Sequence, residues 1–209
     1  MNDPTANAAE RAPNSRQTLD DLLDVMIQHP ERRGECMARI ERDFEQELAP
    51  LILDMSGFTR TTHQHGIVAF LLMIRQMHQV CCPAVAENGG KVVKTEADNL
   101  FCVFPDVAGA VAAARDINQR LDAANLQLPA ERQLYASIGI GWGRILNIDE
   151  HDLFGDEVNL ACKLGEDIAE RRQVLLTERA RDCLPRSEAV HEQELSISGL
   201  SLRYFELEH

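Results

Sequence analysis

The 209-residue sequence is poor in aromatic residues, 5% with a single tryptophan, so any core must be built mainly from aliphatic side chains. Basic charge is also scarce: 21 Lys plus Arg against 34 Asp plus Glu leave a formal charge of −13. A nucleic-acid groove normally shows as a basic face, so no nucleic-acid partner is expected. An acidic protein can still hold a polyphosphate where metal ions mediate the contact. No stretch approaches the roughly 18–20 apolar residues of a membrane helix, so no membrane insertion is expected. Met1 to Arg16 carries no apolar h-region of a secretory signal. The six cysteines include no C-x-x-C pair, which leaves buried reduced thiols and a cytoplasmic location as the expectation. No H-E-x-x-H helix pair is present, and His63 and His65 read as a solvated helix start rather than metal ligands. Gly90-Lys91 leads into Val92 instead of Ser or Thr, which excludes a P-loop, and there is no G-x-S-x-G elbow.

What remains is 44% hydrophobic and 26% charged, the composition of a soluble globular domain of ordinary size with an extension. Residues 1–16 are small and polar and read as a disordered tail. Residues 17–47 read as an N-terminal helical extension, and 48–207 as the main domain. In the extension, a short helix begins near Asp20 or Asp21, carries Leu22, Leu23 and Met26 on one side, and ends before Pro30. A second carries Met37, Ile40, Phe44 and Leu48 as one apolar stripe. That stripe could pack on the main domain or pair with a second copy of the chain.

From Leu48 the pattern changes. Leu51-Ile52-Leu53 is a buried strand that breaks at Asp54-Met55-Ser56-Gly57. Ile67 to Val85 predicts a largely buried helix, stopped by Asn88-Gly89-Gly90. Residues 91–94 and 100–104 form a hairpin around the tip 95–99. An Ala-rich helix follows from Val107 to Leu126, then one long strand from Leu134 to Ile148 with Gly139, Gly141 and Gly143 on one bare face. Val158 to Ala169 is helical, 174–176 a strand, 177–181 a short helix, and 195–197 with 203–207 a final strand pair. Consecutive strands without an intervening helix imply antiparallel pairing. The fold class is therefore α+β, a ferredoxin-like split βαβ sheet with helices packed on it.

Two aspartates lie where strands end, Asp54 after the first and Asp98 at the hairpin tip. In this topology the two strands are neighbours, so both carboxylates can reach one point. Such a pair suits a divalent metal, and Mg²⁺ in particular takes a few carboxylates plus substrate phosphate oxygens. Each could instead be an ordinary turn residue.

Four segments in order resemble the motifs of class III nucleotide cyclases, the catalytic domains that make cyclic AMP or cyclic GMP. Residues 53–59, LDMSGFT, resemble the opening metal motif, and 89–98, GGKVVKTEAD, the second. Residues 138–143, IGIGWG, are similar to the central glycine-bearing strand, and 152–164, DLFGDEVNLACKL, to the last signature. The resemblance runs from about Leu48 to Leu207. It implies a head-to-tail homodimer with two active sites at its interface and ATP as substrate. Asp54, Asp98 and the Met55 backbone of one subunit would hold two Mg²⁺ or Mn²⁺ ions. Gly57, Phe58 and Thr59, in a turn entering a helix, would face the triphosphate, because amides at a helix start favour anions. Lys94 and Asp152 of the other subunit would read the base, the ammonium donating to the adenine ring nitrogen and the carboxylate accepting from its amine. Asn159 would hold the ribose, and Lys163 would face the transition state. The implied product is 3′,5′-cyclic AMP, formed by attack of the 3′-hydroxyl on the α-phosphorus.

Three departures from the family pattern accompany the likeness. Ala97 stands where a glycine usually precedes the second metal aspartate, so the tip must avoid positive φ or accept strain. Lys163 replaces an arginine, keeping the charge without the planar fork, and predicts reduced rather than absent turnover. No lysine follows Gly199, where Arg203 is a candidate substitute. These departures leave two rivals open: a degenerate cyclase-homology module that binds nucleotide or a partner without turnover, and a cyclase for GTP or a pyrimidine triphosphate. The G-G-[DE]-E-F signature of diguanylate cyclases is absent, since Lys91 follows Gly89-Gly90.

Overall fold

The structure, a computed structural model, describes residues 13–56, 58–197 and 200–208. Ser15 caps the first helix, its hydroxyl accepting from the Thr18 N–H at 3.3 Å. That cap starts α1 at Arg16–Gln28, several residues before Asp20. The second helix, α2 (Arg33–Phe44), ends four residues short of the expected stripe. Leu48 is a strand residue instead, paired with Gly143 in β1 (Glu45–Met55). Leu19, Leu22, Cys36 and Phe44 bury against Ile148, so the extension packs on the main domain.

The main sheet has the order β2 (Lys91–Glu96), β3 (Asn99–Phe104), β1, β4 (Ala136–Ile140), β7 (Val174–Thr177), β9 (Leu200–Leu207), β8 (Val190–Ile197). β1 lies antiparallel to both β3 and β4, and β4 runs parallel to β7. One face carries α3 (Phe58–Glu87) and α4 (Val107–Asn125) over a large apolar core that includes Leu51, Leu53, Met77, Phe104, Ile117 and Ile138. The opposite face carries α5 (Asp156–Cys162), followed by a π-helical turn, Lys163–Ile168. A short α6 (Glu178–Asp182) follows β7. This is the expected α+β class with an N-terminal helical pair.

Three expectations fail for identifiable reasons. The long strand expected from Leu134 to Ile148 is interrupted at Gly141-Trp142, opposite Ala49-Pro50; β4 and β5 (Gly143–Ile148) pair with β1 in one continuous register, Leu51 opposite Ile140 and Leu48 opposite Gly143, and the Gly141 N–H still donates to the Pro50 carbonyl. A further strand, β6 (Asp152–Phe154), pairs with β5, and three residues are too few for any periodicity to show. The third concerns α3 (Phe58–Glu87), which Gly66 interrupts at φ 80°, ψ 171°. Ile67, Val68, Leu71 and Leu72 are exposed, so the helix is buried on one side only. Its segment Gly66–Glu87 is long and apolar enough to cross a membrane, which corrects the reading that no such stretch exists. Met73, Met77, Cys81, Ala84 and Val85 nonetheless belong to the main core, the role of a core helix.

The bare glycine face has a direct use. A Cβ at Gly139 would overlap the Ala161 carbonyl, and one at Gly165 would sit 2.7 Å from the Ile52 carbonyl oxygen. Glycine therefore lets α5 and the π-helical turn lie directly on the backbones of β1 and β4. The hairpin tip shows the cost foreseen for Ala97, which adopts φ 53° in the turn between β2 and β3. Left-handed backbone costs an alanine about 1 kcal/mol relative to glycine. Ala97→Gly is therefore expected to raise the melting midpoint by about 2–4 °C. A calorimetric scan showing a clear fall would mean that this φ is not what the tip requires.

Candidate active site at the sheet edge

β1 and β3 pair with Leu53 opposite Leu100, which sets Asp54 one position on, beside Asn99 and the Ala97-Asp98 turn. The hydrophobic pairing of two central strands thus brings together carboxylates 44 positions apart in the chain. Asp54 is half-buried, and its pKa is pushed up to about 7, first by burial, then by the charges of Asp98 and Glu166. The Met55 N–H partly opposes this by donating to the carboxylate. Among the described residues no Lys or Arg forms an ion pair with Asp54 or Asp98. Uncompensated acidic oxygens of this kind suit a hard divalent cation, whose charge turns mutual repulsion into attraction. No three His, Cys, Asp or Glu side chains among the described residues form a ready-made metal cage. A cation shared between one or two carboxylates and substrate phosphates does not require one.

Glu166 is the acidic neighbour that sequence reasoning missed. It stands on the π-helical turn, and burial followed by the charges of Asp167 and Glu96 raises its pKa. Its proximity to Asp54 depends on how closely that turn approaches β1 through Gly165, a contact no local pattern displays.

The second constellation lies between β2 and β6. A register shift between Val92 and Lys94 marks a bulge in β2, and bulges re-aim side chains. Lys94 Nζ sits 2.9 Å from Asp152 Oδ1 and 3.3 Å from Glu96 Oε2, and 4.5 Å from the centroid of the Phe101 ring. Burial alone would lower the Lys94 pKa, but the hydrogen bonds and charges of Asp152 and Glu96 outweigh it and leave it raised. Asp152 Oδ1 also accepts from the Leu153 N–H at 2.9 Å. The strand carrying Asp152 is held by a tight turn in which the His151 N–H donates to the Ile148 carbonyl at 2.8 Å. Asp149 (φ 50°) and Glu150 (φ 56°) occupy its centre, the geometry of a type I′ hairpin turn.

Asn159 is exposed on α5, and its side chain has no hydrogen-bond partner among the described residues. Lys163, one helical turn on, is held by Asp167, Nζ to Oδ2 at 2.6 Å. α5 is itself locked by Glu157, which is only 4% exposed. Glu157 Oε2 accepts from the Trp142 N–H at 3.0 Å and from the Thr177 hydroxyl at 2.7 Å. This buried carboxylate takes up the Trp142 N–H at the break between β4 and β5, and sequence reasoning gave it no role. Gly57 lies outside the described residues, as do the side chains of Phe58, Thr59, His63 and His65. Arg203 pairs with Glu178 and Glu192 at the end of the sheet remote from Asp54, so within one chain it does not serve the carboxylate pair.

Comparison with known proteins bears on the whole main domain. The family described as "Adenylate and Guanylate cyclase catalytic domain" matches residues 43–208. A protein named "Putative adenylate cyclase 3" from Rhizobium meliloti (strain 1021) is 30% identical over 116 residues, 56% of this chain; the matched part is a fifth of that relative, 20%. The crystal structure of an adenylate/guanylate cyclase/hydrolase from Silicibacter pomeroyi superposes with a TM-score of 0.65 at 25% identity, covering 78% of this chain and 96% of that one. A bacterial light-regulated adenylyl cyclase superposes with a TM-score of 0.68 at 16% identity, covering 91% of this chain and 64% of that one. The wider coverage necessarily takes in part of the N-terminal extension.

Proposed function

The chain belongs to the adenylate and guanylate cyclase catalytic-domain family, and from that premise we propose that it is an adenylate cyclase, converting ATP to 3′,5′-cyclic AMP and pyrophosphate. The observation that carries the choice of ATP is the Lys94–Asp152 pair, Nζ to Oδ1 at 2.9 Å. Adenine presents a ring-nitrogen acceptor beside an amine donor, and an ammonium beside a carboxylate is the complementary pattern. Guanine presents the reverse order there, so its groups would face like partners. A buried hydrogen-bonding mismatch of that kind can be worth several powers of ten in discrimination. The raised pKa of Lys94 keeps it a donor throughout the physiological range.

Asp54, Asp98 and the Met55 carbonyl would hold two Mg²⁺ or Mn²⁺ ions. Bound there, the cations would acidify the ribose 3′-hydroxyl and neutralise charge on the phosphates. The chain's own residues do the positioning. Gly57, Phe58 and Thr59 would present backbone amides to the triphosphate. Asn159 orients the ribose, so that its 3′-oxygen lies in line with the α-phosphorus and the departing pyrophosphate. Lys163 swings from Asp167 to the phosphate oxygens as charge builds there. In the homodimer this reading requires, the metal carboxylates come from one subunit, and Lys94, Asp152, Asn159 and Lys163 from the other.

The test is chromatography of products from ATP, GTP, CTP and UTP, each with Mg²⁺ and with Mn²⁺. Cyclic AMP as the dominant product is expected. Cyclic GMP in excess would reverse the base assignment, and no cyclic nucleotide from any substrate would leave a binding module.

A further inference from the structure

Helix α1 reaches the base-reading pair. Arg16, its first residue, places Nη1 3.6 Å from Asp152 Oδ2 and Nε 3.1 Å from Asp20 Oδ1. Its guanidinium lies 6.0 Å from the centroid of the Phe154 ring. Asp152 and Phe154 are two apart on β6 and so share one face, the face Arg16 covers. One more tie lies just upstream, where Asn14 Nδ2 donates to the Asn147 carbonyl at 3.2 Å. The backbone beneath Arg16 is firmly seated: Ser15 caps the helix, and Leu19 and Leu22 are buried against Ile148 on β5.

The two oxygens of Asp152 are used differently. Oδ1 is taken by Lys94 Nζ and the Leu153 N–H. Oδ2 faces Arg16 at a separation longer than a hydrogen bond, close enough to feel the charge while its lone pairs stay available. We infer that Arg16 is a positioning residue for Asp152: it holds the carboxylate with Oδ2 presented to the exocyclic amine of the base, and so ties nucleotide affinity to the seating of the N-terminal helices. This rests on the assignment of Lys94 and Asp152 to the base. It extends that assignment to a segment outside the family match at 43–208. Because Arg16 is carried on α1, anything that lifts α1 from β5 withdraws the guanidinium from the base pocket. Part of the extension is matched in the light-regulated cyclase, so it is a shared element of the fold.

The experiment compares the native protein with Arg16→Ala, Arg16→Lys, Asp152→Asn and the Arg16→Ala/Asp152→Asn double variant. KM and kcat for ATP are measured, together with calorimetric Kd values for ATP and GTP. An exposed ion pair predicts a rise of about two- to fivefold in KM and Kd for ATP on Arg16→Ala, with kcat little changed. Arg16→Lys should fall between the two. In the Asp152→Asn background, Arg16→Ala should add nothing, because the partner it positions is gone. The melting midpoint should stay put, which separates this role from a structural one. Unchanged KM and Kd in Arg16→Ala would overturn the inference, as would an undiminished effect in the double variant. If Asp152→Asn leaves the ATP-to-GTP preference untouched, the base assignment falls and this inference with it. If Asp152→Asn shifts the preference and Arg16→Ala shifts nothing, only the role of Arg16 is lost.

Discussion

Asp54→Asn and Asp98→Asn should each lower cyclase turnover by about 10³-fold or more, a loss on the order of 4 kcal/mol of transition-state stabilisation. Each amide is nearly isosteric with the carboxylate it replaces, so the strands and the tip are undisturbed. What disappears is a charge that a divalent cation needs. Stability should move the other way or not at all. In the native chain the charged form of Asp54 is opposed by burial, Asp98 and Glu166. Removing that charge relieves a repulsion, so with chelator present the melting midpoint of Asp54→Asn should equal or exceed the native value. Activity within tenfold of native in either variant would show that the pair is not the metal site. A large fall in melting midpoint would make the loss of activity uninformative, and the opposed signs are what give the experiment its force.

Mixing two inactive proteins gives the second large effect. Asp54→Asn lacks the metal carboxylate and Lys94→Ala lacks the base-reading ammonium. If each site draws those groups from different subunits, a mixed dimer holds one doubly broken site and one intact site. With random exchange half the dimers are mixed, so about a quarter of native activity should return. If both groups served one site within a single chain, no combination would restore an intact site. Activity should appear on mixing at a rate set by subunit exchange, which a fluorescence exchange assay measures in parallel. Verified exchange with no recovered activity would rule out the shared site. The exposed Asn159 side chain, without a hydrogen-bond partner among the described residues, and the Lys163 ammonium parked on Asp167 are consistent with groups awaiting a second surface.

The carboxylate pair could be read early because its causes are local. Leu51-Ile52-Leu53 and Leu100-Phe101-Cys102-Val103-Phe104 are apolar runs that become buried neighbours in the sheet, and each aspartate sits at the end of its run. Ala97 was legible for the same reason, since one residue in a two-residue turn has few backbone options. Asp152 could be named by its likeness to a family motif, but not placed. Its strand has three residues and owes its position to β5, which follows the Gly141-Trp142 break and keeps the β4 register on β1. Leu48 and the exposed face of α3 were misread by the same logic: apolar spacing shows which residues prefer burial, and does not reveal where a helix stops or which neighbours are present to cover it.

The amino-acid order alone determined the alternation of strands and helices, the neighbouring positions of Asp54 and Asp98, and the glycine face on which α5 rests, since each follows from hydrophobic patterning and backbone sterics within short windows. Only the tertiary structure decided that Lys94 and Asp152 form one ion pair, that Glu166 adds its charge beside Asp54, and that Arg16 reaches across to Asp152. Those contacts join residues 58, 112 and 136 positions apart. They depend on a bulge, a π-helical turn and a capped helix end, each a small displacement of backbone that packing selects and no periodicity encodes.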